Sequence, residues 1–264
     1  MNADTFPSLG TSSWPAQLAR IGFWLIGLGL VLAAASGPAN RFGLVNFRIA
    51  LLALGAGFVL LLVGALLSLI GVITGAARRT RLPMGRLAVG IVAALAAIGY
   101  LLTWVHAGTS VPTIHEVSTD LDSPPPFVEI RRIRDAIPGT NSSDYVAELT
   151  GRSGKFSVPD AQRAAYPELQ PLVLDAPPDQ AFKAAAAAAR KLGWEIVAAV
   201  PAEGRIEATA TTRFFGFKDD VVVRLRAAGA GTRVDVRSKS RVGLGDAGAN
   251  AARVRAYLRL LRGS

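Results

Sequence analysis

Residues 18–35, 49–73 and 87–105 form three apolar stretches, and the only charge in them is Arg20 at the edge of the first. Each is close to the ~20 residues that a helix needs to cross ~30 Å of hydrocarbon. A helix of a soluble core carries a polar face, and none of these does. The sequence therefore predicts a multi-pass membrane protein: a tail at 1–17, then three transmembrane helices within 18–105. Ala33-Ala34-Ala35 resembles a signal-peptide cleavage site. The long preceding region, with Asp4 and a single Arg20, favours an uncleaved helix.

Charge placement predicts the orientation. Residues 1–110 carry seven arginines and one acid, Asp4; the other 22 of 29 basic and 18 of 19 acidic residues follow. Arg78, Arg79, Arg81 and Arg86 lie between the second and third spans, and Arg20 sits at the N-terminal edge of the first. Only Arg41 and Arg48 lie between the first two. Cytoplasmic loops are enriched in Lys and Arg, so the expectation is a cytoplasmic N-terminus, an inner-membrane location and an extracytoplasmic, periplasmic C-terminal part. No soluble stretch joins single-sign charge to interleaved aromatics, so nucleic acid is not an expected partner. Gly64-x-x-x-Ser68 and Gly71-x-x-x-Gly75 suit close helix packing within one subunit. The second and third spans hold no charge, so nothing points to an ion pathway.

There are no cysteines, which removes thiol nucleophiles, disulfides and Cys-based zinc sites. Residues 106–127 read as an extended connector around Pro124-Pro125-Pro126, and 128–264 as an α+β domain. Pro138–Asn141 and Gly151–Gly154 read as turns, and Ala161–Tyr166 as a short helix. The pattern sharpens from Pro171. Leu172–Leu174 is a strand, and Pro177–Leu192 a helix with Phe182, Ala185, Ala189 and Leu192 on one face. Strands follow at 194–200 and 205–213. Asp220–Arg226 and Arg233–Ser240 pair as a hairpin, because Leu225 opposite Val234 and Val223 opposite Val236 also sets Arg224 opposite Asp235. Asp246 is the expected N-cap of a final helix to Leu261. The order β-α-β-β-β-β-α predicts a two-layer antiparallel sheet with helices on one face. It resembles helix-grip domains such as those in the lipoprotein of the bacterial outer-membrane barrel-assembly machine.

The segments Thr113–Phe127 (TIHEVSTDLDSPPPF), Leu192–Leu225 (LGWEIVAAVPAEGRIEATATTRFFGFKDDVVVRL) and Val234–Leu258 (VDVRSKSRVGLGDAGANAARVRAYL) together resemble the bacterial family known as domain of unknown function 1499. The resemblance covers about residues 112–262. It implies an extracytoplasmic domain, often attached to membrane helices, and no established activity.

Two candidate sites stand out. Gly243-Leu244-Gly245-Asp246-Ala247-Gly248 fits G-x-G-x-x-G between a strand and a helix, but no second parallel strand or acid about 20 residues on follows, as a dinucleotide site requires. No nucleotide or other cofactor is expected. The turn does offer close backbone approach and a helix start, where anions bind. Arg237, Arg241, Gly243, Gly245, Asp246, Asn250 and Arg253 make up an anion- or ligand-binding candidate. The competing reading is a closed network of Asp246 with Arg241 or Arg253. The second candidate is a hard-cation site at His115, Asp120 and Asp122, against which stands a solvated acidic linker. No G-x-S-x-G elbow or P-loop occurs, and His106 and His115 are the only histidines. The functional expectation is an envelope module that binds a protein, lipid or other anionic ligand. The alternative is an envelope hydrolase or transferase using connector carboxylates, with or without a metal.

Overall fold

The computed structural model describes residues 13–151 and 154–263. The tail before Ser13, with Asp4, lies outside the described residues, as do Arg152 and Ser153 of the turn expected at Gly151–Gly154. The chain divides into two compact units, Met1–Trp104 and Val105–Ser264.

The first unit is helical. Helices α1 (Trp14–Arg41), α2 (Phe47–Ala77) and α3 (Met84–Thr109) are each long and apolar enough to cross a membrane. The Asn46 side chain starts α2 by accepting the Ile49 N–H at 3.0 Å, as a capping amide does. Glycines bring α1 and α2 together. A Cβ placed on Gly22 would stand 2.5 Å from the Gly64 carbonyl oxygen, and one on Gly64 2.7 Å from that of Gly22. Gly29 and Gly57 face each other in the same way. Ser68 and Gly71 also pack on α1, whereas Gly75 lies against Leu82 of the next loop. The expected small-residue motifs thus serve packing within the chain, between α1 and α2 except at Gly75.

The second unit is α+β. Its elements are β1 (Glu116–Ser118), α4 (Glu129–Asp135), β2 (Glu148–Gly151), β3 (Gly154–Ser157), α5 (Val158–Ala165), β4 (Leu172–Leu174), α6 (Pro178–Lys191), β5 (Glu195–Val200), β6 (Arg205–Thr211), β7 (Lys218–Ala228), β8 (Gly231–Ser240) and α7 (Ala249–Arg262). The antiparallel sheet runs β1-β8-β7-β6-β5, and β4 pairs with the other half of the β8 edge. The β7–β8 register sets Leu225 opposite Val234, Val223 opposite Val236 and Arg224 opposite Asp235, as the two-face alternation predicts. Strands β2 and β3 form a separate hairpin.

Helices α6 and α7 cover one face of the sheet. Ile206, Val221, Val223, Val234 and Val236 lie beneath them, each at most 1% exposed, and each such side chain contributes roughly 1.5–3 kcal/mol on burial. The Tyr257 ring stacks on Trp194 at 5.0 Å, and its hydroxyl donates to the Ala185 carbonyl at 2.9 Å, tying α7 to α6.

The segment expected to be a free connector behaves differently. Ile114, His115, Glu116, Val117 and Ser118 are buried, and β1 extends the sheet beside β8. Residues 119–146 then cross the sheet face opposite α6 and α7. Of the connector expected at 106–127, the stretch from Ile114 to Asp120 is thus buried in the domain, whereas Asp122 stays exposed. The reason is charge: the strand residues beneath 119–146 carry buried charges of both signs that need partners.

Candidate functional site

Strand alternation puts valines on one face and charge on the other. In β8, Val234 and Val236 turn to the helices, and Arg233, Asp235, Arg237 and Lys239 turn away. In β7 and β6, Asp220, Arg224, Arg205, Glu207 and Thr209 share that second face. A sheet face of this composition is ordinarily solvated. Here Glu116, Glu207, Asp220, Asp235, Arg237 and Lys239 are all at most 1% exposed.

The charges are satisfied in four clusters. Glu116 accepts from Arg237 Nε at 3.0 Å and Lys239 Nζ at 2.9 Å. Asp220 accepts from Arg134 Nε and Arg241 Nε, both at 2.8 Å, and from the Thr209 hydroxyl at 2.7 Å. Asp120 and Asp235 are clamped by Arg224 and Arg233 at 2.8–3.0 Å. Glu207, paired with Arg205, receives the backbone N–H groups of Val128, Glu129 and Ile130 at 3.0, 3.2 and 2.8 Å. A strand carboxylate therefore caps α4 from outside the helix, at its positive end.

Cations exceed anions in the centre. Glu116 and Asp220 face four cations, Arg134, Arg237, Lys239 and Arg241. Other donors go to backbone carbonyls across the boundary: Arg134, from α4 of the covering segment, to Lys239 of β8 at 2.7 Å, and Arg237 and Lys239, from β8, to Ser143 at 3.0 Å and Asp144 at 2.6 Å. The guanidiniums of Arg134 and Arg237 also lie over the Phe127 ring, at 5.5 and 4.9 Å. Buried charges persist only when paired and hydrogen-bonded, so the cations act as ties holding 119–146 to the sheet.

The electrostatics follow. Burial works to raise the Asp220 carboxyl, but the Arg241 hydrogen bond and the charges of Arg134 and Arg241 outweigh it and hold Asp220 below its ordinary value. Asp235 is likewise raised by burial and held low, on balance, by Arg224 and Arg233. Burial depresses Lys239, with Glu116 opposing. Burial and the Glu116 charge push the Tyr145 phenol up to about 12.

The anion-site candidates are divided between the two faces. Arg237 and Arg241 lie on the charged face, engaged with Glu116 and Asp220. Asn250 and Arg253 belong to α7, which covers the other. Arg253 pairs with Asp219 at 2.5 Å and reaches Ser238 and Asn250 at 3.1 and 2.6 Å. Gly243, Gly245 and Asp246 form the turn between. The closed-network reading also needs revision, because Asp246 pairs with neither arginine. Its carboxylate accepts the N–H groups of Gly248 and Asn250 at 2.8 and 2.9 Å. The helix itself starts at Ala249, with Gly248 in the capping position. Asp246, the expected N-cap, thus lies two residues upstream of the capping residue, and fills donors that an anion would use.

The metal candidates are not brought together. Asp120 Oδ1 accepts the N–H groups of Asp122 and Ser123 at 3.2 and 2.9 Å, while Oδ2 takes Arg224 and Arg233. The Asp122 side chain is 95% exposed. His115 lies under the Leu244 turn. Among the described residues, no three His, Asp or Glu side chains are grouped as metal ligands. Sequence reasoning missed Arg134, Glu207 and Asp220. The one available signal was Thr209 opposite Asp220 in the strand register.

A family model described as "Protein of unknown function (DUF1499)" matches residues 116–261, a little over half of the 264 residues. The chain belongs to the DUF1499 family. The match opens at Glu116, the first residue of β1. The DUF1499 unit therefore includes the buried segment that composition alone sets apart as a connector. No curated protein matches the chain.

Proposed function

We propose that the DUF1499 unit of this membrane protein is a non-catalytic binding module of the cell envelope, held outside the cytoplasm by three spans. One observation carries the reading: the two buried carboxylates of the connector, Glu116 and Asp120, are engaged as structural acceptors. Asp120 is shared by two arginines, and Glu116 by an arginine and a lysine. A general acid or base needs a proton-accepting oxygen within reach of substrate, and these oxygens face strand cations. The orientation rests on the arginine asymmetry, five positions against two.

A reporter active only outside the cytoplasm, fused after Ser264, tests the orientation. Activity supports the proposed sidedness, and activity of a cytoplasmic reporter at the same point refutes it. For the chemistry, calcium or magnesium is added to the full chain during thermal unfolding. Stabilisation by the metal that is abolished in Asp120→Ala would move the assignment to the metal-dependent enzyme. The binding-module reading expects none.

A further inference from the structure

The turn from β6 to β7 reads Arg213-Phe214-Phe215-Gly216-Phe217-Lys218. It is built firmly. The Thr212 N–H donates to the Phe217 carbonyl at 2.8 Å, the Phe217 N–H returns to the Thr212 hydroxyl at 2.8 Å, and the Gly216 N–H donates to the Thr212 carbonyl at 3.0 Å. Gly216 supplies the positive φ of 70°, which a glycine adopts without strain. Phe215 stacks on Phe217 at 5.1 Å, and Phe214 meets Phe215 edge-on at 5.0 Å. Phe214, at the tip, is 46% exposed, and Arg213 and Lys218 are exposed on either side.

The neighbourhood repeats the pattern. Beyond residue 110, the exposed large hydrophobic side chains among the described residues are Val128, Ile137, Val173, Phe214 and Leu244. Three of them share one end of the sheet. Arg241 N–H donates to the Lys218 carbonyl, Asn141 N–H to that of Arg241, and Asn141 Nδ2 to that of Gly243, so the loops bearing Phe214, Ile137 and Leu244 are hydrogen-bonded neighbours. The chain also enters here: Ile114 accepts the Asp246 N–H, and β1 starts beside Lys239. Six residues separate Thr109, the end of the third apolar helix, from Glu116, at most ~20 Å of fully extended chain. A tether of that length keeps the domain close to a bilayer that holds the helix.

We propose that the Arg213–Lys218 turn, with Leu244 beside it, is a membrane-contact element that seats Phe214 in the interface of a bilayer containing anionic lipid. Aromatic rings favour that interface, and flanking Arg and Lys meet anionic headgroups while their stems lie along apolar surface. The inference does not depend on which side of the membrane the domain occupies, so it stands or falls apart from the binding-module reading.

The cysteine-free sequence permits a direct test. The full chain carrying Phe214→Cys or Ala230→Cys, the latter in the exposed turn at the opposite end of the sheet, is labelled with an environment-sensitive fluorophore. Each is placed in nanodiscs of phosphatidylcholine with and without phosphatidylglycerol, containing lipid-borne quencher. The expected result is severalfold stronger quenching at position 214 than at 230, increased by phosphatidylglycerol and reduced to the 230 level by Arg213→Ala with Lys218→Ala. Equal quenching at both positions overturns the proposal. So does a blue shift at 214 without quenching, which would assign the turn to a protein contact. Because the label alters Phe214, hydrogen exchange of the unlabelled chain serves as a second readout. Protection of 213–218 that is unchanged by phosphatidylglycerol also refutes the proposal.

Discussion

Arg134 reaches Asp220 across 2.8 Å from a helix that crosses the charged face of the sheet, and both side chains are at most 1% exposed. Arg241 completes the cluster from the far end of β8. Three segments distant in sequence thus meet on one carboxylate. Removing that carboxylate leaves two buried guanidiniums without it.

Asp220→Ala is therefore expected to destabilise the domain by about 3–5 kcal/mol, the usual cost of breaking a buried pair from one side. Arg241→Ala should also destabilise, because its guanidinium is paired with the buried Asp220. If Arg241 instead formed an anion site, its loss would leave stability nearly unchanged. Native-state hydrogen exchange of β6–β8 in the full chain separates these outcomes: parent-like protection in both variants would rule out the structural role.

Val223 is 1% exposed under α6 and α7 and pairs with Val236. Val223→Asp puts an unpaired charge in that layer, at a cost on the order of 4 kcal/mol. Val222→Asp, on the opposite face beside Phe127 and Ile130, enters a region already rich in arginine and should cost less. Equal losses in the two variants, measured by denaturant unfolding, would mean that the faces are assigned wrongly.

This facing was legible because alternation satisfied both faces of one hairpin. The spans were legible because hydropathy averages over about twenty residues. The covering segment was not. Glu116–Ser118 is too short to show a period, and Pro124-Pro125-Pro126 signals only an extended chain. Its burial comes from cations of β7 and β8, whose alternating charge ordinarily marks a solvated face. The candidate list therefore held Arg237 and Arg241 but missed Glu207 and Asp220, the carboxylates that give such arginines their structural use. Asp246 was recognised as an acceptor at the helix start, one turn feature that local sequence does encode.

His115 supplies a pH dependence. It is 5% exposed, and burial and the Lys239 charge depress its pKa from the ordinary value of 6.5, with Glu116, Asp246 and the Leu244 backbone opposing. The unfolded chain then takes up the proton at higher pH than the folded one. The contribution of this group is fully present above about pH 6.5 and is lost as pH falls toward the folded value. His115→Gln cannot titrate and should flatten the stability profile as pH falls below about 6.5. Profiles that keep the parent's slope there would show that His115 is not its source.

Gly64 meets the Gly22 carbonyl and Ile26 of α1 so closely that an added Cβ would come within 2.9 Å of both. Gly55, on the same helix, has nothing within 4 Å of that position. Lipid supplies no hydrophobic drive for helices to associate, so the backbone approach through small residues carries the packing. Gly64→Val must therefore push α1 away or distort α2, whereas Gly55→Val adds a β-branched side chain without a clash. The first should cost about 1–3 kcal/mol, as overpacking does, and lower the melting temperature of the detergent-solubilised chain. The second should leave it close to the parent. If both variants melt together, or Gly55→Val melts first, the α1–α2 interface does not run through the Gly22–Gly64 approach.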